Sequence, residues 1–208
     1  GLDHKATLIA KASRLGLYEN TIVSDANKSI PLADGSVRTA FCNILYILEH
    51  LDGLLSETHR ILKDDGHFIV QLPEARAEEV MINHLYEKHG WEWARLIDRN
   101  KYATTYPRYH RHERAYWDEL LEKAGFRVAK EVELRPDLVH VMWDIGLRPL
   151  FPALMEMYRR LGEVDRREVK KVWVETLYEV LVHFCKPEWM YEGMGCKPTY
   201  RMAALEKI

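Results

Sequence analysis

Cysteine is scarce in this 208-residue chain, with three residues (Cys42, Cys185 and Cys196) in an odd number and at no metal-ligand spacing. That excludes a disulfide scaffold and reads as reduced thiols of a cytoplasmic protein. No apolar run is long enough to span a bilayer, and the start lacks the basic residues and apolar core of a signal peptide. Charge of one sign is not in excess: 30 Lys and Arg stand against 32 Asp and Glu, for a net charge of −2. There is no global field to attract nucleic acid or an anionic membrane, so neither is expected as a partner. No Gly-x-Gly-x-Gly occurs, so no glycine loop cradles a ligand here. His140, His183 and the other scattered histidines have no ligand spacing, and no metal is expected. Internal repeats and low-complexity tracts are also lacking.

What is present is the composition of a globular domain, 47% hydrophobic and 30% charged, in a chain long enough to bury a core. Leu8, Ile9, Ala12 and Leu15 fall at helical spacing, and Gly16 ends that helix. Thr21 to Ser24 reads as a short strand ending at Asp25. The stretch from Lys28 to Ser36, with Pro31, Asp34 and Gly35, reads as a loop. Val37 to Cys42 reads as a buried strand. Leu51 to Leu62 reads as a helix, Asp64-Asp65-Gly66 as its stop, and His67 to Leu72 as the next buried strand, ended by Pro73. Alternating helices and strands imply a parallel sheet with crossover helices.

The pattern then changes. Ala75 to Asn100 reads as a long helix, followed by the loop "KYATTYPRYHRHE". Ala115 to Ala124 is a predicted helix with Gly125 as its cap, and Phe126 to Leu134 a strand. Residues 137–162 suggest two short helices. An amphipathic helix is predicted from Asp165 or Arg166 to Phe184, with Val169, Val172, Trp173, Leu177, Val180 and Leu181 among its apolar face. Thr199 to Ile208 reads as the last strand. The expected organisation is one domain with a core of 1–74, 113–134 and 197–208 and helical insertions at 75–112 and 135–196.

In open α/β sheets ligands sit at the carboxyl ends of the strands. Asp3, Asp25-Ala26 and Cys42-Asn43 occupy such ends. A carboxylate there can accept both hydroxyls of a ribose, and a carboxylate or backbone amide beside an apolar side chain can read an adenine edge. Each aspartate alone serves as readily as a turn former or helix cap. Taken in order, the run "GLD…LIAKA…GLY…SDANKSIPLADGS…FCN…LSETHRILKDDGHFIVQLP" resembles the class I S-adenosylmethionine-dependent methyltransferases, in the branch called type 11 that includes quinone-biosynthesis enzymes. The resemblance covers residues 1–73, and more loosely 113–134 and the last strand. It implies a Rossmann-like, three-layer αβα fold, mostly parallel with an antiparallel last strand. It implies S-adenosylmethionine as cofactor, with Asp3 at the ribose hydroxyls, His4 beside the adenine, Asp25 and Ala26 at the adenine amino group and ring, and Asn43 nearby.

The departures from the family pattern are informative. Asp64-Asp65-Gly66 stands where the family has Pro-Gly-Gly, and Val37-Arg38 where an Asp follows the aromatic residue. "ILYILEHLDGLL" admits two registers. The one anchored on "HRIL" puts Tyr46 and Ile47 at the family's Glu and His positions and leaves His50 as a surface helix residue. The family's first strand and glycine-rich loop would precede Gly1. The chain is therefore expected to be a fragment of a longer enzyme, impaired alone in cofactor binding. The aromatic-basic loop suggests a lid over a small-molecule acceptor, with His110, His112, Tyr106 and Tyr109 as candidate bases. An exposed apolar face on the helical insertions would mark a homodimer interface. The competing expectation is a non-catalytic methyltransferase-like protein acting through a partner. A domain for another nucleotide is disfavoured by the lack of a phosphate loop.

Overall fold

A computed structural model describes residues 1–81, 110–184 and 197–208. Among the described residues six strands run in chain order: β1 (Leu2–Asp3), β2 (Ile22–Val23), β3 (Val37–Cys42), β4 (Leu62–Pro73), β5 (Phe126–Pro136) and β6 (Pro198–Lys207). The helices are α1 (Ala6–Ser13), α2 (Leu51–Ile61), α3 (Ala75–Glu79), α4 (Arg114–Lys123), α5 (Asp137–Val141), α6 (Phe151–Arg159) and α7 (Glu163–Phe184).

The strands form two sheets. β1 pairs in parallel with β2, Leu2 opposite Ile22 and Asp3 opposite Val23. The larger sheet has the order β3-β4-β6-β5, with β3 and β4 parallel. Lys207 Nζ reaches Leu62 O at the start of β4, and the Glu74 amide, just after β4, reaches Thr199 O near the start of β6. The Ile208 amide reaches Gly125 O, just before β5. The last strand therefore runs antiparallel between β4 and β5, as the family resemblance implies.

The chain forms two compact units. The first holds residues 1–72, 108–132 and 202–208, and the second 73–107 and 133–201. The core of the first is built by periodicity. On α2, Leu51, Leu54, Leu55, Thr58 and Ile61 fall at i, i+3, i+4, i+7 and i+10, and all are buried. They pack in one cluster with Phe68, Val70 and Leu72 of β4, Trp117 and Leu121 of α4, and Ala203 and Leu205 of β6. α4 ends where Gly125 takes a φ of +82°, a conformation that glycine adopts without steric cost. In the second unit, Arg201 is 1% exposed and its Nε lies 3.0 Å from Glu74 Oε1. The Arg135 guanidinium lies over the Tyr200 ring, and the buried His140 stacks on the same ring.

Several expectations are corrected. Asp64-Asp65-Gly66 is no separating turn: it lies inside β4 as a bulge, because Val37 pairs with Leu62 but Thr39 already pairs with His67. β3 is only partly buried, with Phe41 60% exposed, because β3 pairs on one side only among the described residues. α1 buries none of its residues fully, and Leu8 and Leu15 face solvent. The long helix expected from Ala75 stops at Glu79, and its part over 82–100 lies outside the described residues. α7 is not cleanly amphipathic. Trp173, Leu177 and Leu181 are half-buried, but Val169, Val172 and Val180 are exposed, as are Val164 and Tyr178 elsewhere on the helix.

Candidate functional site

Asp3, Asp25 and Asn43 lie at or just past the carboxyl ends of β1, β2 and β3. Asp3 closes β1, and its backbone oxygen accepts the Ser24 amide at 3.1 Å, which keeps the ends of β1 and β2 side by side. One carboxylate oxygen of Asp3, Oδ1, accepts the Lys5 amide at 2.7 Å, ordering the turn into α1. The other takes no hydrogen bond among the described residues. His4 is exposed, its Nδ1 3.7 Å from Asp3 Oδ1, and it lies near enough to Asp25 to favour that carboxylate's charged form.

Asp25 follows β2. Its Oδ1 accepts both the backbone amide and the side-chain Nδ2 of Asn27, each at 3.0 Å. These bonds, the backbone one first, hold its carboxyl below the usual range. Ala26 is half-buried against the core. Asn43, just past β3, is exposed, and no hydrogen bond joins it to Asp3 or Asp25 among the described residues. Beside it, burial pushes the Cys42 thiol above its ordinary range.

His110 and His112 form a pair, Nδ1 to Nε2 at 3.3 Å. Burial lowers both imidazoles below the usual range. For His110, hydrogen bonds to the backbone of Leu48 and Glu49 work against that shift. His112 also packs on Tyr116, with ring centroids 3.9 Å apart, and meets Trp117 edge-on. Tyr106 and Tyr109 lie outside the described residues. His50 sits one residue before α2 with its side chain 66% exposed, outside the helix rather than on its surface.

Three contributors went unnoticed in the sequence. Asn27 also accepts the Glu49 amide at 2.8 Å and the His50 amide at 3.4 Å through Oδ1. Its signal was the Asp-x-Asn spacing of an Asx-turn. Arg60 and Glu57 clamp the loop at 30–35. Glu57 Oε2 accepts the Ile30 amide, and Arg60 donates to the carbonyls of Ile30 and Leu32 and to Asp34. Their i, i+3 spacing was legible, but the loop they hold was not.

Residues 1–70 match the family described as methyltransferase domain. No curated protein matches the sequence. Three solved structures share the fold over the whole chain. The chain described as a methyltransferase in the complex with the Haloferax volcanii Trm112 methyltransferase activator is 15% identical, with a TM-score of 0.54 and 70% of its length spanned. An S-adenosylmethionine-dependent methyltransferase from Mesorhizobium loti is 13% identical, with a TM-score of 0.54 and 79% spanned. The [4+2]-cyclase SpnF is 16% identical, with a TM-score of 0.51, and this chain spans 65% of it, just under two thirds. The chain thus has the α/β fold of these methyltransferase structures, and its first 70 residues match a methyltransferase domain family. Its family-specific part is the stretch that carries Asp3, Asp25 and Asn43. No helix among the described residues is long and apolar enough to cross a membrane.

Proposed function

We propose that this chain is part of a longer, cytoplasmic enzyme that transfers a methyl group from S-adenosylmethionine to a small-molecule acceptor. The observation that carries the reading is the pairing of β1 with β2. It puts two carboxylates, Asp3 and Asp25, at adjacent strand ends, where open α/β sheets bind nucleosides.

The residues fit the nucleoside half of the cofactor. Asp3 keeps one carboxylate oxygen available for hydroxyl donors, and Asp25 keeps Oδ2 for an amino donor. Ala26 offers an apolar surface to a ring, with His4 close to Asp25, and Asn43 is carried over from the family resemblance. When bound, S-adenosylmethionine supplies a methyl group activated by its sulfonium charge. The chain's own task is to orient the acceptor, exclude water and, where the acceptor must lose a proton, receive it. His110 is the candidate for that last role, because burial lowers its titration and favours the neutral imidazole, and its Nδ1 pairs with His112 Nε2. His112, Tyr106 and Tyr109 are the alternatives.

The split between the sheets supports membership of a longer enzyme. β1 and β3 each pair on one side only among the described residues, and unpaired edges invite another strand. A second reading, a methyltransferase-like protein acting through a partner chain or a second copy, is favoured by the exposed Val164, Val172, Val174 and Tyr178 of α7. The relative solved in complex with a methyltransferase activator fits that reading as well.

Calorimetric titration with S-adenosylhomocysteine, paired with mass in solution, separates the two. Micromolar binding lost in Asp3→Ala supports the enzyme. No binding by a folded, well-defined oligomer supports the partner reading. No binding by an aggregating chain, recovered when a glycine-rich strand and helix are fused ahead of Gly1, supports the longer enzyme.

A further inference from the structure

We propose that Asn27 is a positioning residue that locks the loop after β2 to the entrance of α2, so that the Asp25 loop on the adenine side and the start of α2 order together. The proposal rests on the cofactor reading above and adds a residue and a coupling to it.

The argument comes from how one side chain is used at both ends. An amide carries a donor and an acceptor, and here each has a specific partner. The Nδ2 group donates to Asp25 Oδ1 at 3.0 Å. The Oδ1 atom accepts the Glu49 amide at 2.8 Å and lies 3.4 Å from the His50 amide. These amides precede the first turn of α2, whose N-cap residue His50 supplies no side-chain cap. Asn27 thus anchors from another loop the backbone that leads into α2. The chain of contacts runs from Asp25 through Asn27 to residues 49 and 50, all within the first unit.

Neither Ala nor Asp can reproduce both halves of this lock. Alanine removes both. Aspartate can still accept the two amides, but it sets a second carboxylate against Asp25 in place of a donor. The two variants therefore separate the two functions of the side chain.

The test is amide hydrogen exchange and carboxyl titration by NMR on the 208-residue chain, with S-adenosylhomocysteine affinity measured alongside. In Asn27→Ala, exchange at Glu49 and His50 should quicken about five- to tenfold, the size of one lost hydrogen bond. Exchange at Ile30, held by Glu57, should not change. The Asp25 titration should move up toward its ordinary range. In Asn27→Asp the two amides should stay slow while the Asp25 titration still moves up. S-adenosylhomocysteine affinity should fall about tenfold in both variants, because both disturb Asp25. Unchanged exchange at Glu49 and His50 in Asn27→Ala overturns the lock. Quickened exchange with unchanged affinity, in a chain that binds, overturns the positioning role. A wild-type chain that binds no S-adenosylhomocysteine, alone or with a restored strand, overturns the cofactor reading and with it the positioning role, while the exchange data still decide whether the lock itself exists.

Discussion

Replacing Glu57 by Gln should remove a defined, pH-dependent part of the stability. Glu57 meets Arg60 through both carboxylate oxygens at 2.8 Å and accepts the Ile30 amide at 2.8 Å. These bonds, the one to Arg60 first, hold its carboxyl down from 4.5 to about 2. Taken at face value, that displacement corresponds to about 3 kcal/mol. The pair lies at the surface, with the two side chains 21% and 31% exposed, and solvent screening reduces the expected contribution to roughly 1–2 kcal/mol. The folded-state value is depressed, so the contribution is complete above pH 4.5 and is lost as pH falls toward 2. At pH 3 about two-fifths of it should remain. The assay is urea unfolding of both proteins at pH 7 and pH 3. The difference between them cancels the titration of all other groups. A stability difference between the wild type and Glu57→Gln that is equal at the two pH values would refute the clamp as an ionic one.

Three further outcomes are expected. Gly125→Ala should cost about 1–2 kcal/mol, since the residue sits at a φ of +82° and a new Cβ would lie 3.0 Å from His59 Nε2. Gly66→Ala should cost about 1–3 kcal/mol, because its Cβ would fall 2.9 Å from the Lys63 carbonyl oxygen and 3.0 Å from that of Arg38, inside the β4 bulge; thermal unfolding checks both. If His110 is the base, the rate with an acceptor that must lose a proton should fall only below the usual imidazole range, because burial depresses its titration. His110→Asn should then flatten that acid limb in a pH–rate profile, whereas a merely structural histidine would leave its shape unchanged.

Much of the larger sheet could be read from local pattern. The α2 stripe, the alternation along β4, Gly125 after α4 and the place of the last strand all follow from spacing, because a helix or strand that buries one face must repeat its apolar residues at the period of its backbone. Asp3 and Asp25 were visible as strand ends for the same reason. The bulge at Asp64–Gly66 was not. A turn signal inside a strand looks like a stop until the partner strand's register forces the extra residues out of the ladder.

The sequence by itself determined an α/β domain whose first 70 residues match a methyltransferase family, with no glycine-rich loop in these 208 residues and with carboxylates at strand ends. Those properties lie in residue order and in the period of apolar positions. Only the tertiary structure decided that Asn27 bridges Asp25 to residues 49 and 50, that Arg60 holds a loop 26 to 30 residues away, and that β3 and α7 leave apolar side chains exposed. Those properties depend on which distant backbone groups meet a given side chain. A hydrogen bond between residues 22 apart leaves no period in the sequence that could announce it.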